Sequence, residues 1–82
     1  MSETRARILI VEDEEKLARL LEDYLHAAGY ATAWLADGSE VAVAVRGAPP
    51  ALVLLDLMLP GKDGLAVCRE LRSFTDVPVV ML

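Results

Sequence analysis

Two short runs of continuously apolar residues, Ile8-Leu9-Ile10-Val11 and Ala51-Leu52-Val53-Leu54-Leu55, end abruptly on carboxylates: Glu12-Asp13-Glu14-Glu15 after the first and Asp56 after the second. A strand with one face in water alternates apolar and polar residues; a strand with no polar residue must be covered on both faces. That condition is met by a parallel sheet lying between two layers of helices. It puts acids where two buried strands stop.

The segments between these runs supply the helices. Leu17, Leu20, Leu21, Tyr24, Leu25 and Ala28 recur at steps of three and four, predicting a helix with one apolar stripe that Glu14 and Glu15 favour at its positive end and Gly29 closes. Residues Ala31 to Ala36 read as a weaker strand. Asp37, three residues before Glu40, resembles a capping box for a short helix over Val41 to Arg46, closed by Gly47. Pro49-Pro50 resets the chain as extended before the second apolar run. Pro60-Gly61 fits the centre of a type II turn, Asp63 fits a cap, and Leu65, Cys68 and Leu71 give the next helix an inward face. After Pro78, Val79 to Leu82 reads as a fourth strand. The alternation of four strands with three helices predicts an α/β domain, doubly wound around a mainly parallel sheet.

Charge and size narrow the function classes. Thirteen acidic against eight basic side chains give a net charge of −5, the wrong sign for neutralising nucleic-acid phosphates or anionic lipid. No apolar run approaches the roughly 20 residues of a membrane span, and the N-terminal residues do not resemble a signal peptide, so a cytoplasmic chain is expected. Eighty-two residues allow one small core. An apolar strand over Val77 to Leu82 left at an edge invites pairing, so the sequence reads as an incomplete domain. Cys68 is the only cysteine and is read as a packing residue; His26 as a helix-end cation; Trp34 as a half-buried strand residue; Arg69 and Arg72 as a solvated face.

Reacting groups in open α/β sheets gather outside the carboxyl ends of the strands. If the two apolar strands are neighbours, Glu12, Asp13 and Asp56 converge there. Carboxylates that close take up protons or a cation, and an all-oxygen set suits Mg²⁺. A carboxylate can also be a nucleophile, forming an aspartyl phosphate when a metal offsets phosphoryl charge. The competing reading is plain capping, with Glu12 to Glu15 serving the first helix and Asp56 the following turn. An aspartyl-phosphate phosphatase of the haloacid-dehalogenase type wants a second aspartate where Met58 stands. A dinucleotide site wants a glycine-rich turn where four acids stand.

Ile8-Leu9-Ile10-Val11-Glu12-Asp13-Glu14 together with Leu54-Leu55-Asp56-Leu57-Met58-Leu59-Pro60-Gly61-Lys62-Asp63-Gly64 resembles the response-regulator receiver domain of bacterial two-component signalling, and the loop wording leans toward regulators with a C-terminal winged-helix DNA-binding domain. The resemblance implies a flavodoxin-like sheet of order 2-1-3-4, with the fifth strand of the family missing, and residues 1–82 as the N-terminal part of a receiver. It implies that Asp56 accepts a phosphoryl group from a sensor histidine kinase, that Asp13, Asp56 and the backbone carbonyl of Met58 bind Mg²⁺, and that Glu12 reaches the metal through water. Such a domain is a signalling switch and not a turnover enzyme. DNA would be contacted through an effector domain outside this chain. The family's phosphoryl-sensing Ser or Thr and its Lys fall beyond Leu82, and Lys62 is no substitute for the latter. The alternative is a non-enzymatic fragment that forms a homodimer or swapped oligomer through its last strand.

Overall fold

The computed structural model describes residues 5–82. Its elements are β1 (Arg7–Val11), α1 (Glu15–Ala27), β2 (Ala31–Leu35), a 3₁₀ turn over Gly38–Glu40, α2 (Val41–Gly47), β3 (Leu52–Leu55), α3 (Gly64–Arg72) and β4 (Val79–Met81). The four strands form one parallel sheet in the order β2-β1-β3-β4. β1 and β3 are therefore neighbours, with Ile8 opposite Leu52 and Val11 opposite Leu55, as the convergence of the acids requires.

Strand alternation divides the core in two. Ile8 and Ile10 join Ala18, Leu21, Leu25, Trp34, Leu52 and Leu54 on the α1 side. Leu9 and Val11 join Val41, Val45, Val53, Leu55, Val67 and Leu71 on the α2–α3 side. Because β1 serves both clusters, its four apolar residues are all buried, which calls for apolar side chains at every one of them. Cys68 packs against the second cluster, as expected of a packing residue.

The helices differ in detail from the sequence reading. In α1 the sheet takes the line Ala18, Leu21 and Leu25, while Leu17, Leu20 and Tyr24 of the same broad stripe stand in solvent. The small Ala18 is fully buried, so the helix approaches the sheet along that line and the flanking positions are lifted away. In α3, Gly64, Val67 and Leu71 are buried and Leu65 is exposed, a correction to the expected inward face. Asp63 does cap α3, accepting from the Ala66 N–H at 2.9 Å, and this start fixes which residues of the helix face inward. At the end of α1, Gly29 has φ +95°, Gly29 N–H donates to His26 C=O and Tyr30 N–H to Leu25 C=O. These two bonds satisfy the last carbonyls in the Schellman pattern.

Two turns also depart from expectation. Asp37 accepts from Ser39 N–H, but Glu40 does not return the bond; the chain makes a 3₁₀ turn before α2 instead of a reciprocal capping box. At Gly61, where φ is +80°, Lys62 N–H donates to the Pro60 carbonyl at 2.9 Å. This is a three-residue turn, one residue tighter than the type II geometry. The same Pro60 carbonyl accepts from Gly38 N–H, so the loop after β3 is drawn against the loop after β2.

Candidate phosphoacceptor and metal site

The carboxyl ends of β1 and β3 bring Glu12, Asp13 and Asp56 together, with one oxygen from each within 4.8 Å of the others. Glu12 is buried at 3% exposure, Asp56 is half-buried and Asp13 is exposed, so the group forms a shallow acidic cup open to solvent on the Asp13 side. The parallel ladder holds the strand ends in place: Asp56 N–H donates to Val11 C=O and Glu12 N–H to Leu35 C=O, each at 3.0 Å.

Capping accounts for part of this arrangement. Glu12 Oε2 accepts from Glu14 N–H at 3.0 Å, and Asp56 Oδ1 accepts from Met58 N–H at 3.2 Å. Each carboxylate commits one oxygen to these bonds and has two, with about four lone-pair sites between them. Capping thus leaves acceptor capacity unused. It also gives no reason for bringing a third carboxylate into the group. Burial raises the Glu12 pKa above the ordinary carboxylate value; the Glu14 N–H lowers it by less, and the neighbouring Asp56 and Asp13 each add a smaller rise. An oxygen-only donor set carrying this much unrelieved negative charge fits a hard divalent cation such as Mg²⁺.

Gly64 sets the wall of the cup. Its N–H donates to Leu57 C=O at 2.9 Å, and a Cβ there would meet the Asp56 carbonyl oxygen at 2.7 Å and Leu57 Cα at 2.8 Å. The start of α3 therefore lies directly on the backbone that carries Asp56. Met58, two residues after Asp56, is 82% exposed. Lys62 donates to Glu70 Oε1 at 2.6 Å.

Among the residues given plain roles, His26 sits in the last turn of α1 and meets Thr32 Oγ1 at 2.8 Å. Arg69 is exposed as expected. Arg72 is also exposed, yet it is more than a solvated charge: its guanidinium donates to the carbonyls of Thr75 and Val77 and holds the turn before β4. Trp34 is the residue the sequence reading undervalued. It is half-buried as expected, but its indole N–H donates to the Glu12 carbonyl at 2.7 Å. The available signal was its polar edge, since a buried indole N–H has to find an acceptor.

Residues 8–82 match the family described as the response regulator receiver domain. Over 82 residues the chain is 57% identical to the transcriptional regulatory protein BaeR of Escherichia coli O6:H1, covering all of this chain and 34% of that protein. It is 51% identical over 82 residues to the DNA-binding response regulator MtrA of Mycolicibacterium smegmatis, covering all of this chain and 36% of that one. The chain thus spans about a third of the length of the curated relatives it matches. Among solved structures, the BeF3-activated receiver domain of Klebsiella pneumoniae RstA superposes with a TM-score of 0.88 at 36% identity, over 92% of this chain and 64% of that one. A receiver domain of a histidine kinase from Syntrophus aciditrophicus gives 0.88 at 35% identity, over 94% and 61%.

Proposed function

The chain belongs to the response regulator receiver domain family, and on that premise we propose that Asp56 accepts a phosphoryl group, with Mg²⁺ held by Asp13, Asp56 and the Met58 backbone carbonyl and reached by Glu12 through water. One observation carries the reading: three carboxylates from two different strand ends share a site 4.8 Å across, and capping needs only two of them. Mg²⁺, when bound, offsets the negative charge of the acids and of the incoming phosphoryl oxygens. Asp56 supplies the nucleophilic oxygen, a new oxygen–phosphorus bond forms, and the donor departs with the electron pair of the bond that breaks. Met58 N–H on Asp56 Oδ1 orients the carboxylate. Buried Glu12 supplies negative charge that water screens poorly, which strengthens the hold on the cation.

In the whole protein we assign this site to a two-component transcription regulator, phosphorylated by a sensor histidine kinase. The exposed apolar line Leu17, Leu20 and Tyr24 on α1, close in sequence to the acids, suits a partner helix docking beside Asp56. The net charge of −5 suits such a partner better than DNA, so DNA contact is assigned to an effector domain outside this chain. The test is acid-labile labelling of the full-length protein by a small acyl phosphate with Mg²⁺, set against Asp56→Asn. Labelling of the parent and none of the variant is expected; equal labelling of both would end the proposal.

A further inference from the structure

The backbone at Glu12 is held by a side chain and not only by the sheet. Pairing of β1 with β2 ends at Val11 opposite Leu35, and the last rung is Glu12 N–H to Leu35 C=O. Beyond Leu35 the second strand turns off toward Asp37 and the 3₁₀ turn. The Glu12 carbonyl instead takes the indole N–H of Trp34 at 2.7 Å, at the short end for an N–H···O bond. The donor is itself held, because the Trp34 ring packs against Ile8, Ile10 and Ala18 under α1.

That carbonyl belongs to the planar peptide group joining Glu12 to Asp13. With Glu12 N–H on Leu35, its C=O on Trp34 and its carboxylate on Glu14 N–H, the residue is pinned at three points. The plane from which Asp13 projects is pinned with it. Three carboxylates repel one another, and rotation of the Glu12–Asp13 peptide is the simplest way for them to separate. We infer that Trp34 is a positioning residue of the carboxylate site, holding Glu12 and Asp13 toward Asp56 so that the cation meets a preformed cup. Phe, Leu or Val at position 34 would also be apolar and would supply no donor. The inference rests on the reading that these acids bind Mg²⁺.

The experiment is an Mg²⁺ titration of the protein followed by the backbone amide NMR shifts of Asp13, Asp56 and Met58, for the parent, Trp34→Phe and Leu25→Ala. Loss of one hydrogen bond's worth of positioning weakens Mg²⁺ binding in Trp34→Phe by about three- to tenfold. Leu25→Ala removes volume from the same apolar cluster; it lowers the thermal midpoint and leaves the Mg²⁺ affinity within about twofold of the parent, since it removes no bond to the site. Should Trp34→Phe unfold, 3-benzothienylalanine at position 34 keeps the ring shape and replaces the N–H by sulfur, with the same weakening expected. Parent affinity in either Trp34 substitution overturns the inference and leaves the cation reading intact. A parent that shows no saturable response to Mg²⁺ overturns both.

Discussion

Substituting Gly64 by alanine sets two effects of known size against each other at the site. Ala is the better helix residue, by up to about 1 kcal/mol in a helix interior and less at the first position, where Gly64 sits. Gly64 is not in the left-handed region, so backbone conformation gives no reason to resist the change. Sterics do. The new Cβ would lie 2.7 Å from the Asp56 carbonyl oxygen and 2.8 Å from Leu57 Cα, both backbone atoms that cannot swing aside. Forcing a methyl into such a space costs about 1–3 kcal/mol. The clash wins, and the net loss is about 1–2 kcal/mol. For a domain of this size that lowers the thermal midpoint by about 5–15 °C. Relief of the clash also moves the Asp56–Leu57 peptide, so phosphoryl labelling of Asp56 slows along with the loss of stability. Gly47→Ala is the control, because nothing lies within 4 Å of its added Cβ and it closes α2. It should hold or raise stability by up to about 1 kcal/mol and leave labelling unchanged. Thermal and urea unfolding of both variants, with labelling rates, decide the matter. A Gly64→Ala protein as stable as the parent would refute the claim that α3 is seated on the Asp56 backbone.

Glu12 gives the site a pH dependence whose sign follows from its raised pKa. Between 4.5 and that raised value the folded state binds more protons than the unfolded one, so without cation stability falls as pH rises through this window; Mg²⁺ competes with the same proton, and its affinity, measured by titration across pH, should fall as the medium is acidified. A cation affinity that ignores pH through that window would contradict the assignment of Glu12. Leu71 is fully buried between α3 and the sheet, so Leu71→Ala should cost about 2–5 kcal/mol and leave a chain this small largely unfolded by circular dichroism. Asp63→Ala removes the bond to Ala66 N–H and should cost about 1 kcal/mol, read as a shift in the urea midpoint.

The parts of the fold legible in the sequence are those where burial leaves one kind of residue. Ile8 to Val11 had to be a strand covered on both faces because every residue in it is apolar, and the acids after it and after Leu55 marked the strand ends that converge. The α1 pattern was less informative: Leu17, Leu20 and Leu21 share one broad stripe, and only the close approach at Ala18 decides which of them faces the sheet. The same limit applies to Leu65, whose face depends on where Asp63 starts the helix. The tight turn at Gly61 follows from a neighbouring loop that also uses the Pro60 carbonyl, a contact between segments that no local pattern encodes. The acids were found by type and position. What holds them, an indole 22 residues away in sequence, was not, because periodicity reports which face a residue occupies and not which atom it bonds.

Mapping the modified residue shows whether Asp56 takes up a phosphoryl group in a site built from two strand ends. The full-length protein is treated with a small acyl phosphate, with and without Mg²⁺, the acyl phosphate is trapped by borohydride reduction, and the peptides are sequenced by mass spectrometry. Modification is expected at Asp56 alone, dependent on Mg²⁺ and lost when both Glu12 and Asp13 are replaced by their amides. Modification centred on Asp13 or on another carboxylate, or labelling of Asp56 that proceeds equally without Mg²⁺, would contradict it.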